Sequence, residues 1–303
     1  MRKINFTIIF VLLFAKVFSQ GCSDAGLCSI ANAHLENNPD SSRRFSAALT
    51  LSVGVGEQST IISQVIPEIN FSSSSSSTFQ LKVPYTVVDG DLGNSSGTGD
   101  ISLSFLHRQR EKKKVGLSWN AGVKVPTGNS NRKISGNSLP MPYQTSLGTV
   151  DLIGGVSIQF NSWNFTAGYQ YVAWNGNKNQ FLRPASSSTD TEQNYFESNF
   201  LDRGDDALVK TDYEIKIGKT VLSPGLLALY RIQSDKIVSA DERKTSLDGS
   251  SGLTLNCTCN FQFPLNSFLD MRLSGGAPVI VREYRADGLT RSVVFNLQFQ
   301  LKL

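Results

Sequence analysis

The sequence predicts an all-β protein, a closed antiparallel transmembrane β-barrel of about 12 strands in an up-and-down meander. Three observations predict this fold. Apolar and polar residues alternate along residues 44–303, the connections between the predicted strands alternate in length, and the N-terminus is typical of an exported protein. No later stretch reaches the roughly 18 apolar residues of a transmembrane helix, and only helices and closed barrels satisfy the backbone in hydrocarbon. A chain of this kind is therefore expected to cross a membrane as a barrel.

Residues 1–20 have the order of a secretory signal peptide. Two basic residues come first, an apolar stretch covers residues 6–15, and Ser19 and Gln20 end the segment. Its removal takes three of the 29 basic residues and leaves 26 against 25 acidic ones. The exported chain is therefore nearly neutral, and no nucleic-acid partner is expected.

Residues 21–43 precede the first predicted strand and contain the sequence GCSDAGLC. Cys22 and Cys28 would close a short loop in an exported chain, where oxidation is permitted, so a disulfide between them is predicted. Lipidation of Cys22 after Gly21 is the alternative, although Ser19 stands where a lipid-attachment motif normally carries leucine. The segment is interpreted as a small plug in the barrel mouth or as a periplasmic tail.

Period-two alternation predicts the strands, because one face of each strand is apolar and the other is small or polar. The predicted barrel occupies residues 44–303. Its twelve strands cover residues 45–55, 61–71, 79–87, 101–105, 115–125, 150–160, 163–171, 207–217, 221–230, 253–261, 265–273 and 293–303.

Connection lengths distinguish a barrel from a soluble sandwich, which has no reason to alternate short and long loops. Short periplasmic turns are predicted at residues 72–77, 109–113, 161–162, 217–218 and 264–266. Longer external connections are predicted at residues 89–99, 126–148, 175–204, 234–249 and 278–290, with one short external turn at residues 56–59. Both termini are then periplasmic, and the first strand should pair with the last, because closure removes the exposed edges.

The phase of the alternation assigns each side chain to lipid or lumen. The residues expected on the outer surface are Leu51, Val83, Leu117, Tyr169, Cys257 and Phe299; those expected inside are Lys82, Asn120, Gln170, Asn256 and Gln298. Cys257 and Cys259 point the same way, too far apart for a bridge, and are interpreted as small apolar residues. Aromatic girdles are expected from Trp119, Trp163, Trp174, Tyr169 and Tyr171.

Charged residues on the inward phase predict a polar cluster near the external rim of the lumen. Asp100 and Asp151 each begin a descending strand, and Lys124 lies at the end of an ascending one. A carboxylate and an ammonium buried at similar depth should pair. Two roles remain open for this cluster, a structural ion pair or a contact to a transported molecule.

Three segments between the strands carry a family resemblance: TGDISLSF from Thr98, VPTG at residues 125–128, and LPMPYQTSLGTVDLIGG from Leu139. This pattern resembles the outer-membrane barrel family named for the MetA pathway of phenol degradation, which is distantly similar to fatty-acid transport barrels. The resemblance implies a transport-like barrel for small molecules, including hydrophobic ones. Its motif residues here are Gly99, Pro126, Thr127, Gly128 and Gly148.

The function favoured by the sequence is a channel or transporter-like barrel in the outer membrane of a Gram-negative bacterium. A structural or surface-binding barrel is the alternative. A barrel enzyme acting on lipids is disfavoured, because neither His34 nor His107 has a serine motif beside it. No catalytic residue, metal or cofactor is expected. The expected partners are outer-membrane lipid, an unidentified small solute and the barrel-assembly machinery.

Overall fold

The structure, a computed structural model, describes residues 44–112, 115–184, 191–288 and 291–302. The signal peptide, the N-terminal segment 21–43, the Cys22–Cys28 disulfide and His34 lie outside the described residues. Within them, the helical elements are three short 3-10 turns at Glu57–Ser59, Met141–Tyr143 and Thr191–Asn194. No helix in this part of the chain is long and apolar enough to span a bilayer.

Nineteen strands account for most of the described chain. They are β1 (Phe45–Gly56), β2 (Ile61–Ser74), β3 (Ser77–Lys82), β4 (Tyr85–Gly90), β5 (Gly93–Thr98), β6 (Ile101–Lys112), β7 (Val115–Val125), β8 (Lys133–Ile134), β9 (Asn137–Ser138), β10 (Thr149–Phe160), β11 (Trp163–Asn175), β12 (Asp206–Tyr213), β13 (Ile215–Ile217), β14 (Thr220–Arg231), β15 (Lys236–Val238), β16 (Lys244–Ser246), β17 (Gly252–Pro264), β18 (Leu269–Ile280) and β19 (Arg291–Lys302).

Twelve of these strands form the wall of a closed antiparallel barrel, as the sequence predicts. The hydrogen-bonded ring runs β1-β2-β3-β6-β7-β10-β11-β12-β14-β17-β18-β19 and returns to β1. β1 pairs with β19 from Val55 opposite Val293 to Ser46 opposite Lys302, which confirms the predicted closure. The end of the barrel that carries the long connections is called the external end.

The predicted third strand and the external loop that follows it require correction. The strand expected at residues 79–87 is divided into β3 and β4, because Pro84 cannot donate to the ladder and Val83 N–H turns to the Pro67 carbonyl (3.1 Å). The expected loop at 89–99 is mostly the hairpin β4–β5, with Gly93 at φ 110° after its turn. β5 lacks apolar alternation, so no strand signal marks it.

The assigned side chains that are fully exposed or fully buried follow the predicted phase. Leu51, Leu117 and Tyr169 are exposed on the outer surface, as is Cys257. Gln170 and Asn256 lie inside and are 0% and 1% exposed. Other residues assigned to either face are half-buried, namely Val83, Phe299, Lys82, Asn120 and Gln298. The aromatic residues expected in the girdles, Trp119, Trp163, Trp174, Tyr169 and Tyr171, all expose their rings outward.

Candidate functional site

The motif segments meet at the external rim of the barrel. Thr127 follows β7 after Pro126, and its Oγ1 donates to the Gly99 carbonyl at 2.6 Å and accepts from Ile101 N–H at 3.2 Å. This hydroxyl joins the end of one strand to the start of its neighbour, where the backbone ladder is interrupted at Gly99. The Pro-Thr-Gly motif therefore has a structural role at the rim.

Two glycines of the motif allow close backbone contacts that a side chain would block. A Cβ on Gly128 would collide with the carbonyl oxygens of Thr98 and Thr145. Gly148 has φ +71°, and a Cβ there would lie 2.8 Å from Cα of Asn177. The motif thus packs three external segments against one another.

The structure brings Lys124 and Asp151 into direct contact. They are register partners on β7 and β10, and Lys124 Nζ lies 2.7 Å from Asp151 Oδ2 with both side chains buried. Gln170 Nε2 donates to the same oxygen at 2.6 Å. Asp100 is also buried, and its Oδ2 accepts a hydrogen bond from Leu147 N–H at 3.3 Å. Asp100 thus holds the third motif segment.

Asp151 also belongs to a larger network that the sequence interpretation missed. Arg203 Nη1 lies 3.3 Å from Asp151, and its Nη2 pairs with Asp206. We call the full set the rim cluster; it comprises four cations, Lys124, Arg203, Arg231 and Arg282, and four anions, Asp151, Asp206, Asp235 and Asp287.

Arg231 is the centre of the rim cluster. Its Nε lies 2.6 Å from Asp206 and its Nη2 2.8 Å from Asp287, while its Nη1 pairs with Asp235. Arg282 adds a second contact to Asp287 at 3.1 Å. Burying one charge alone would be very costly, but each charge here has an oppositely charged neighbour.

Asp235 and Asp287, the two carboxyl groups of the rim cluster that lie in the lid, have pKa values shifted in opposite directions. Burial raises the pKa of Asp235, and the nearby Asp287 adds to that rise against the opposing effect of Arg231. Burial also acts to raise the pKa of Asp287, but Arg282 and Arg231 hold it well below its usual range. Asp287 therefore supplies a permanent negative charge at the rim.

The sequence does not predict the rim cluster, because Arg203, Asp235 and Asp287 lie in connections predicted as external loops. Charges in such loops normally face water. The available signal was local, since Arg203 and Asp206 are three residues apart and Arg231 and Asp235 are four apart at strand ends. Nothing in that spacing indicates that the loops fold inward.

The external connections fold together into a lid. We define the lid as the described parts of residues 126–148, 176–205, 232–251 and 281–290. The first apolar cluster contains Ile62, Val88, Leu139, Tyr143, Phe181 and Tyr195; the second contains Met141, Leu147, Leu201, Ile237 and Ala286. The second cluster is a hydrophobic core within the lid, whereas the first packs the lid against Ile62 of β2 and Val88 of β4.

A chain of hydroxyl groups fixes the lid to the barrel wall. Tyr143 and Tyr195 place their hydroxyl oxygens 3.1 Å apart, and Tyr195 OH lies 3.3 Å from Thr60 Oγ1. The Leu92 N–H donates to Tyr143 OH at 3.1 Å. Buried polar groups cost little when they bond one another in this way.

Below the lid, side chains fill much of the lumen. Ile153, Leu208 and Leu227 form an apolar patch on three strands. Lys210 Nζ lies 3.1 Å from Asp212, and both side chains are at most 2% exposed. Part of the interior is thus apolar, although the alternation pattern predicts a polar one. A barrel of this size has a narrow lumen, and these side chains narrow it further.

His107 has a hydroxyl partner, which the sequence interpretation did not foresee. Ser77 Oγ lies 2.9 Å from His107 Nδ1 across β3 and β6, and the His107 ring packs 5.6 Å from Trp119. No carboxylate among the described residues is hydrogen-bonded to this ring. Within the same residues, no group of three or more acidic, histidine or cysteine side chains could hold a metal.

Comparisons with known proteins agree with the fold. No protein-family model matches the chain, and no curated protein matches its sequence. The COG4313 outer membrane channel from Pseudomonas putida F1 has a similar structure, with a TM-score of 0.58 at 14% identity over 88% of this chain and 100% of that one.

Two further solved barrels match more weakly. The NanC porin matches with a TM-score of 0.46 at 6% identity, covering 86% of this chain and 100% of that one. The CymD monoaromatic hydrocarbon channel matches with 0.42 at 10% identity, covering 95% and 98%. The similarity to the Pseudomonas channel supports the β-barrel fold of this chain. The chain has the fold of an outer-membrane β-barrel.

Proposed function

We propose that the protein is an outer-membrane channel for small molecules, hydrophobic ones among them. The observation that carries this proposal is the construction of the external closure. The strands of the wall end at this rim, and the mouth is covered by the lid, whose loops and short hairpins are held by side-chain contacts and backbone hydrogen bonds. Such a lid can open without separating the wall strands, because its hairpins form sheets separate from the wall and its connecting loops are less stable locally than the paired wall strands.

The lumen suggests the chemical class of the solute. A molecule that passes the lid meets the apolar patch of Ile153, Leu208 and Leu227 next to the buried Lys210–Asp212 pair. An apolar ring or chain fits the patch, and a polar group fits the pair. The motif resemblance to the MetA-pathway family of barrels supports the same class, and membership of that family is part of the proposal.

We infer that the barrel has no enzymatic activity. The Ser77–His107 pair lies near a periplasmic turn and outside the lumen, beside the exposed Trp119. A hydrolase needs a third group that orients the histidine, and no acidic side chain among the described residues is hydrogen-bonded to this ring. Assembly by the barrel-assembly machinery remains an expectation.

The test is solute uptake into liposomes that contain the purified protein. The probes are an aromatic carboxylate and a sugar acid of similar size, both charged at neutral pH and therefore slow to cross lipid. Uptake above that of protein-free liposomes is expected for both, with a preference for the aromatic probe. Absence of uptake together with absence of conductance in planar bilayers would contradict the channel.

A pair of variants on β12 tests the apolar patch. Leu208→Ala removes an inward side chain that is 1% exposed, whereas Val209→Ala changes its outward neighbour, which is 61% exposed. We expect Leu208→Ala to reduce the aromatic preference and Val209→Ala to retain it. Equal behaviour of the two variants would remove the patch from the proposal.

A structural or surface-binding barrel without transport is the second candidate. The burial of Lys210 and Asp212 in the lumen favours it, since a filled lumen conducts poorly. The uptake measurement decides between the two, because a structural barrel leaves both probes outside the liposomes.

A further inference from the structure

The turn between β1 and β2 holds two different parts of the lid. We call residues 56–60 the latch turn. Arg285 Nε donates to Glu57 Oε1 at 3.1 Å, and Gln58 Nε2 donates to the Asn194 carbonyl at 3.1 Å. A turn of five residues thus contacts segments 136 and 228 positions away along the chain.

Arg285 joins these two segments to each other. Its Nη1 donates to the Arg282 carbonyl at 2.9 Å, and its guanidinium lies 5.4 Å from the centroid of the Phe196 ring. The Phe196 ring in turn packs 4.4 Å from that of Tyr284. Release of Glu57 would therefore loosen a junction of three external elements.

The latch turn is strained in its present conformation. Gln58 and Ser59 have φ of 48° and 58°, in the left-handed region that favours glycine. Such backbone persists only where surrounding contacts hold it. The side-chain contacts of Glu57, Gln58 and Thr60 are those contacts.

Glu57 is a buried carboxyl group among charges of both signs. The groups that face it are Arg285, Asp287 and Tyr284 from the segment after β18, and Arg183 from the segment after β11. Burial raises the pKa of Glu57 from 4.5 to about 7, because the loss of solvation outweighs the attraction of Arg285. The carbonyl oxygen of the protonated carboxyl group can still accept a hydrogen bond from Arg285.

We propose that the latch turn is an acid-tightened closure, in which protonated Glu57 holds the lid shut and ionised Glu57 loosens it. The conductance readout of this closure rests on the proposed channel function. The physical cause is the burial of Glu57, which is 8% exposed under the closed lid and would return to water on its release.

The direction of the pH effect follows from proton binding. Glu57 binds its proton more tightly when buried in the closed lid than when exposed in the released one. At pH below about 4.5 both states are protonated and the lid is most stable. As the pH rises to about 7, the released state ionises first, so closure weakens, and above that pH it weakens no further. The closing equilibrium should change on the order of a hundredfold across this window.

The first test measures the lid directly by hydrogen–deuterium exchange of the full-length protein in lipid, corrected for the intrinsic pH dependence of exchange. Residues 191–201 should be more protected at pH 5 than at pH 8. Glu57→Gln imitates the protonated group and should remain protected at both. Asp248→Asn removes a charge from an exposed position of the lid and should follow the wild type.

The second test records single channels while the external pH is varied. The open probability should rise from pH 5 to pH 7 in the wild type and in Asp248→Asn, and remain low in Glu57→Gln. A wild type whose lid tightens with rising pH, or a Glu57→Gln variant that retains the pH response, would overturn the closure. A pH-dependent lid in a protein without conductance would support the latch and overturn the channel.

Discussion

The barrel wall and the lid are specified by different kinds of sequence information. In the wall, the parity of a position decides whether a side chain meets lipid or lumen, so Val209 is exposed and its neighbours Leu208 and Lys210 are buried. In the lid, the position of a residue in the sequence does not predict its contacts. Arg285, for example, pairs with Glu57 of the latch turn, which is 228 residues away. The wall is a repeated local pattern, whereas the lid is a set of single long-range contacts.

This difference implies different responses to mutation. An error in the wall is a misplaced side chain in a periodic structure, and its cost depends on depth in the membrane. An error in the lid leaves a partner unsatisfied, and its cost depends on burial and charge. Substitutions in each region can therefore test the comparison.

The largest effect is expected from Arg231→Met. The change leaves Asp206, Asp235 and Asp287 buried without their shared cation, so the free energy of unfolding should fall by roughly 3 to 5 kcal/mol. Urea unfolding in lipid vesicles measures it. Arg243→Met is the matched control, because Arg243 pairs with Asp241 on the surface and is 84% exposed. Equal stability of the two variants would contradict a central role for Arg231.

The next effect tests the wall. Ala121 faces outward near the middle of β7, whereas Val115 faces outward at the start of the same strand. Arginine in the hydrocarbon should cost about 2 to 4 kcal/mol at Ala121 and about 0 to 1 kcal/mol at Val115, because the second site lies near the interface. The free energies of folding in lipid give the comparison. A cost that does not depend on depth would contradict the assigned orientation of the strand.

The sequence was sufficient for the wall and insufficient for the lid for a physical reason. Lys124 and Asp151 could be placed together because both lie on the inward phase of neighbouring strands. β5 was missed because its composition of glycine, asparagine, serine and threonine lacks the alternation that marks a strand. The burial of Arg203 and Arg231 depends on loops folding over the mouth, and that folding leaves no periodic trace.

The ion pair between Lys124 and Asp151 gives an intermediate effect. Lys124→Met removes one of two cations at Asp151, and Arg203 remains 3.3 Å from that carboxylate. We therefore expect the free energy of unfolding to fall by about 2 kcal/mol, less than for Arg231→Met.

Asp100→Asn with Asp151→Asn should instead shift ion selectivity toward anions, measured by the reversal potential in a salt gradient. If the ion selectivity is unchanged in the double variant, Asp100 and Asp151 do not line the path of the solute and have only a structural role.

The smallest effect is expected from Tyr143→Phe in the lid. The ring remains in its apolar cluster, and only the hydroxyl that joins Tyr195 to the Leu92 N–H is lost. The cost should be about 1 kcal/mol, because the half-buried Leu92 N–H loses its acceptor while the packing is kept. The hydrogen-bonded ring of wall strands is kept when this hydroxyl is lost, so global unfolding should change little, and hydrogen exchange should increase only in residues 191–201 and 91–98. Tyr213→Phe, on the outer surface of β12, is the control and should leave the exchange of the lid unchanged. Faster exchange throughout the barrel strands would show that lid and wall unfold as one unit, and the two regions would then differ in sequence signal but not in stability.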